Sequence, residues 1–76
     1  MPFATDHRRL TGREHQVLAL VVEGFSAKEI AYRLSIAPRT VECHIDHLRT
    51  KTQSRNRAQL VAIAVRSGLV PVLQTA

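Results

Sequence analysis

The stretch Phe25–Lys51, FSAKEIAYRLSIAPRTVECHIDHLRTK, decides how this chain folds. Ser26 stands three residues before Glu29, the spacing of a capping box in which each side chain satisfies an orphan N–H at a helix start. Phe25, just before the cap, and Ile30, at the fourth helical position, are placed for a hydrophobic staple across it. Ile30, Ala31 and Leu34 then share one helical face, with Ala31 the small residue where two helices must approach closely. Ser35 takes a turn position that is often Gly, and Ile36 plugs the corner. Pro38 suits the first position of the next helix, where a missing N–H costs nothing. Val41, Ile45 and Leu48 continue as an inward stripe at i, i+4 and i+7. Arg39, Glu42, Cys43 and Asp46 occupy the opposite face, again at helical spacing. Packing requires no such polar set. A short capped helix, a tight turn and a longer helix with one polar face form the arrangement that sets a rigid rod into a DNA major groove.

The flanking sequence supplies two more helices. Thr11 and Glu14 make another capping box, so a first helix is expected from about residue 12 to 23, with Val17, Leu18 and Val21 inward and Gly24 as its left-handed stop. The central pair is expected at about 27–34 and 38–50, with Gln53 to Arg55 connecting. Asn56 and Gln59 form a third cap pair, and a fourth helix is expected at about 57–67. Gly68 ends it, Leu69 and Val70 fold back on the core, and Pro71 forbids continuation. The expected organisation is a loose segment at 1–9, one domain at 10–70 and a frayed tail at 71–76. The class is all-α, since no strand-like alternation of any length appears.

Composition narrows the function. At 76 residues the chain makes one domain with a modest core. The formal net charge is +5, and the sign is uneven. No acidic residue follows Asp46, whereas Arg49, Lys51, Arg55, Arg57 and Arg66 do. A basic C-terminal half beside a helix-turn-helix points to a polyanion partner. The lone Cys43 builds no disulfide framework and fits a reducing cytoplasm. The strongest apolar stretch, Leu60 to Val65, is far too short to cross a membrane. No nucleophile–base constellation and no phosphate loop is present, so an enzyme is not expected. Cys43, His44 and His47 on one helix do not complete a zinc tetrahedron, and neither a metal nor a cofactor is expected.

Four blocks of the sequence resemble the LuxR-type (GerE- or FixJ-type) helix-turn-helix domain of bacterial transcription regulators. They are LTGRE, GFSAKEIAYRLSI, TVECHIDHLRTK and NRAQLVAIAVRSGLV, in that order, and together they run from about Leu10 to Val70. The resemblance implies four helices, duplex DNA as partner, a homodimer through the fourth helix, and a cytoplasmic protein on the nucleoid. RNA polymerase is a candidate second partner. The chain also departs from the family pattern. Ala37 stands where a Ser or Thr usually caps the third helix, and Thr52 and Ser54 replace residues that are commonly apolar, so a looser connection is expected there. Glu42, Cys43 and Asp46 hold reading positions where Lys, Asn or Val is common.

Each candidate residue has two readings. Arg39 can donate two bonds to guanine or grip a phosphate, or it can pair with Glu42 at i+3. Glu42 and Asp46 can accept from cytosine N4, or they can repel phosphate and steady Arg39 and Arg49. Cys43 is expected against a thymine methyl and His44 in a half-buried packing role, with His7 and His15 at the surface. Lys28, Thr40, Arg49, Lys51, Arg55 and Arg57 are the phosphate candidates; some of these charges are expected to be merely solvated. Gln59, Ile63 and Arg66, with Ala62, are the dimer candidates. Two rival functions remain at this point: a sigma-factor region 4 domain, which NRAQLVAIAVRSGLV disfavours, and a protein-interaction module that kept the fold and lost DNA.

Overall fold

The computed structural model describes residues 9–70, and these contain four helices. They are α1 (Gly12–Val22), α2 (Ala27–Leu34), α3 (Pro38–Thr52) and α4 (Arg57–Arg66). Residues 1–8 of the expected loose segment 1–9, His7 among them, and the tail 71–76 lie outside the described residues.

Both capping boxes form. Thr11 Oγ1 accepts from Glu14 N–H at 3.1 Å while Glu14 accepts from Thr11 N–H at 2.9 Å. Ser26 and Glu29 do the same at 3.1 and 2.8 Å. Ala37 offers α3 no side-chain cap, as its methyl dictates, and Pro38 follows it. At α4 the reciprocal half is displaced. Asn56 Oδ1 accepts from Gln59 N–H at 2.8 Å, but Gln59 Oε1 accepts from Arg55 N–H at 2.6 Å instead of from the cap residue itself.

All four helices stop in the same way. The N–H two or three residues past the helix end reaches back to a carbonyl five residues earlier: Phe25 to Leu20, Ile36 to Ala31, Ser54 to Arg49 and Leu69 to Ala64. Each closure needs a left-handed residue just before it. Gly24 (φ 96°) and Gly68 (φ 73°) supply two, and Ser35 (φ 58°) and Gln53 (φ 59°) supply the others. The first helix ends at Val22 and the fourth at Arg66, one residue short of expectation in each case. The third runs on to Thr52, past the expected end near Thr50, because its left-handed stop sits at Gln53.

The helices surround one apolar core. Leu18, Ile30, Leu48, Leu60, Val17 and Val41 are fully buried, and Val21, Ala31, Ile45, Ala64 and Val70 complete the set. Burying such side chains supplies about 1.5–3 kcal/mol each for the larger ones. Phe25, Ile36 and Leu69, which follow three of the left-handed stops, pack against this core. α3 packs against all three other helices, so its inward stripe is sealed and its outward face is presented at a fixed angle.

The connection after α3 differs from the expected loose one. Thr52 Oγ1 donates to Leu48 O at 2.8 Å and lies 2.6 Å from Ser54 Oγ. Ser54 is only 8% exposed. Two hydroxyls at apolar positions are tolerated because they satisfy each other.

Candidate nucleic-acid interface

The outward face of α3 holds Arg39, Glu42, Cys43 and Asp46, all exposed. Their spacing follows from the helical repeat, with Val41, Ile45 and Leu48 buried behind them. Arg39 and Glu42 make no ion pair or hydrogen bond among the described residues, so the expected alternative pairing between them is not formed. Asp46 is different. Its carboxylate lies 3.7 Å from Arg49 Nη1, the steadying role weighed for it above. Cys43 is a free, exposed thiol. His44 is half-buried and His15 exposed.

The start of α3 carries further polar groups. Thr40 is exposed there, and the uncapped first turn leaves the positive end of the helix dipole open toward solvent.

The basic residues divide into two groups. Lys51 Nζ donates to Glu14 Oε1 at 2.7 Å and to Arg9 O at 3.0 Å. Glu14 is 4% exposed and the Lys51 side chain 23%. Burial pushes the Glu14 carboxyl up, but the hydrogen bonds from Lys51 and Thr11 N–H and the charges of Lys51 and His47 outweigh it, holding the group below its ordinary value. Lys51 is thus tied into the fold, which the run of basic residues did not disclose. Arg49 is tied similarly: Nη2 donates to Arg55 O at 2.7 Å. Arg57 Nη2 donates to Phe25 O, which draws the starts of α2 and α4 together. Arg55 and Lys28 are exposed, and neither side chain has a bonded partner among the described residues.

The motif between two sealed helices, the polar face and the cations at helix starts meet the requirements of a duplex-DNA reader. The model of the family described as bacterial regulatory proteins, luxR family, matches residues 8–64. The chain belongs to the luxR family. Its helix-turn-helix is therefore that of a DNA-binding transcription regulator, and the sigma-factor alternative falls away.

Individual relatives are named as transcriptional regulators. The chain is 48% identical over 60 residues to a probable transcriptional regulator, ycf29, of Cyanophora paradoxa, covering 79% of this chain and 29% of that one. It is 44% identical over 62 residues to the transcriptional regulatory protein FixJ of Rhizobium meliloti, covering 82% and 30%. Its fold is similar to that of the Vibrio cholerae LuxR-type receptor VqmA, described as a dimer, with a TM-score of 0.81 and 34% identity over 90% of this chain and 31% of that chain. The chain thus spans less than a third of the length of these relatives. No helix among the described residues is long and apolar enough to cross a membrane.

The dimer candidates lie along α4. Gln59 and Arg66 are exposed, and Ile63 is half-buried outside the core set. Val65, 37% exposed, is an apolar neighbour that the sequence reading passed over. Its position one residue before Arg66 gave no periodic signal.

Proposed function

We propose that this luxR-family domain binds duplex DNA with the N-terminal half of α3 in the major groove, as one half of a homodimer in a cytoplasmic transcription regulator. The observation that carries this reading is the set Arg39, Glu42 and Cys43, exposed and uncommitted on a helix whose other face is sealed. A side chain with no partner inside the fold keeps its hydrogen bonds for one outside it. Arg39 serves as the guanine reader, Glu42 as an acceptor for cytosine N4, and Cys43 as a small apolar surface for a thymine methyl. Asp46 acts through Arg49. Thr40, Arg55 and Arg57 hold phosphates, Thr40 helped by the uncapped start of α3 beside it. Lys51 and Arg49 are left out of that set because Glu14 and Asp46 already pair their charges, whereas Arg57 donates only to a neutral carbonyl. Ile63, Gln59 and Arg66, which share one face of α4, form the dimer contact, and RNA polymerase is the protein on which a bound regulator would act. No catalytic role is assigned to any residue.

A selection on randomised half-sites tests this reading, using wild type, Arg39→Ala and Glu42→Gln. Arg39→Ala should lose about 1–3 kcal/mol on the best site and relax preference at one base pair. Glu42→Gln should weaken the best site only; uniform strengthening on every sequence would show Glu42 to be a phosphate repeller. Undiminished preference in both mutants would overturn the base-reading assignment. No duplex binding by wild type at low salt would favour a protein-interaction module instead, a reading that acidic Glu42 supports.

A further inference from the structure

We infer that the outward face of α2 docks an acidic protein segment that presents an aliphatic side chain. This contact is additional to DNA binding and does not depend on it.

Tyr32 is 87% exposed, far more than any other large apolar residue among those described. It stands opposite Ile30 and Ala31, which seal the inward face of the same helix. With Lys28, Glu29 and Arg33 it lines a concavity of about 330 Å³. The floor is apolar: one phenol ring and the aliphatic stems of two long cations. The rim is positive. Lys28 makes no ion pair or hydrogen bond among the described residues. The Arg33 guanidinium lies 4.0 Å above the centre of the Phe25 ring, which fixes it beside the concavity. Glu29 also lines the concavity and stays anionic, its carboxylate drawn to the helix start by Ser26 N–H at 2.8 Å, so Lys28 and Arg33 together leave the rim with an excess of positive charge.

An apolar floor with a cationic rim selects its occupant. Duplex DNA offers phosphates to the rim but nothing aliphatic of comparable reach to the floor. A small organic anion fills the floor or reaches both cations, but an open surface depression gives it little enclosure. A peptide with a Leu between Asp and Glu residues satisfies both parts at once. Tyr and Arg are also the residue types that dominate protein contacts energetically.

Tyr32 is the single Tyr in a chain without Trp, so its emission reports on this face alone. The test titrates the protein with a synthetic peptide, acetyl-EEDLLDEE-amide, following tyrosine emission and backbone amide shifts. Saturable binding with shifts centred on residues 28–33 is expected. Tyr32→Ala should weaken it roughly tenfold by amide shifts, as should replacing both Leu residues with Gly, while Tyr32→Phe should bind nearly as wild type. Helical circular dichroism should be unchanged in both variants, since Tyr32 is outside the core. Duplex affinity of Tyr32→Ala should also match wild type. Shifts spread over Arg39, Arg55 and Arg57 and indifferent to Tyr32→Ala would reduce the contact to bulk charge attraction and overturn the proposal. So would the absence of binding. A duplex that alters Tyr32 emission and binds Tyr32→Ala markedly more weakly would assign this face to DNA instead.

Discussion

At the start of α3, Ser35 turns the chain at φ 58° and Ile36 drops onto the core; at its end, Gln53 turns it at φ 59° and Ser54 takes the place Ile36 held. The backbone is the same at both ends and the chemistry is not. The first corner is apolar and needs nothing from the polar residues beside it. Arg39, Thr40, Glu42 and Cys43 therefore remain free. The second corner is fastened by polar groups: Thr52 to Ser54, Arg49 to Arg55 O and Lys51 to Glu14. Basic residues cluster at that end for structural reasons as much as for a polyanion. The function of α3 thus concentrates at the end where the fold makes the fewest polar demands.

The most severe test of this contrast is Lys51→Met. It leaves the Glu14 carboxylate buried without its cation, a change that costs 3–5 kcal/mol for a fully buried pair. With the Lys51 side chain partly exposed, about 2–3 kcal/mol is expected in urea unfolding, a large share of the stability of so small a domain. The salt slope of DNA binding by the folded protein should stay unchanged, and a fall of about one unit would return Lys51 to the phosphate contacts. The acid limb gives an independent check. The folded state holds Glu14 below its ordinary 4.5, so its contribution is fully present above that pH. It is lost as pH falls through the lowered value. Glu14→Gln should flatten that part of the stability profile, and an unchanged acid limb would show that the pair adds nothing.

The contrast also marks where the sequence was informative. Helix starts were legible because Thr11–Glu14 and Ser26–Glu29 are local, three residues apart, and each box is satisfied within its own turn. The inward stripe of α3 was legible from its period. The family match carried the fold and function together. Lys51–Glu14 was not legible, since 37 residues separate the partners and Glu14 already had a complete role as a capping residue. Nor was the polar closure at Ser54: two hydroxyls at apolar positions read as a weakness until their mutual distance is known. Tyr32 was overlooked because an outward aromatic residue on a short helix breaks no periodic rule.

A smaller effect is expected at Thr52. Thr52→Val removes the acceptor for the buried Ser54 hydroxyl and the donor to Leu48 O, and should cost about 1–2 kcal/mol. Adding Ser54→Ala should recover part of that loss, because the orphaned hydroxyl leaves with it. A double-mutant cycle by urea unfolding measures the coupling directly. Simple additivity would mean that the two hydroxyls are solvated separately and that the second corner is not fastened by their contact.

The smallest expected effect compares the two corners on the backbone they share. A non-glycine residue in the left-handed region carries about 1–2 kcal/mol of steric cost, and glycine gives back roughly 0.5–1 kcal/mol of that through the entropy of the unfolded chain. Ser35→Gly and Gln53→Gly should therefore each stabilise the domain by about 0.5–1 kcal/mol, read as a higher urea midpoint at unchanged slope. Equal gains are expected, because φ differs by only a degree and neither side chain makes a hydrogen bond among those described. A gain at Ser35 alone would show that the Gln53 side chain supports the second corner through a contact that glycine removes. That result would extend the polar fastening from Thr52 and Ser54 to the residue between them. Loss of stability at both positions would instead overturn the shared closure as the reason these helices stop where they do.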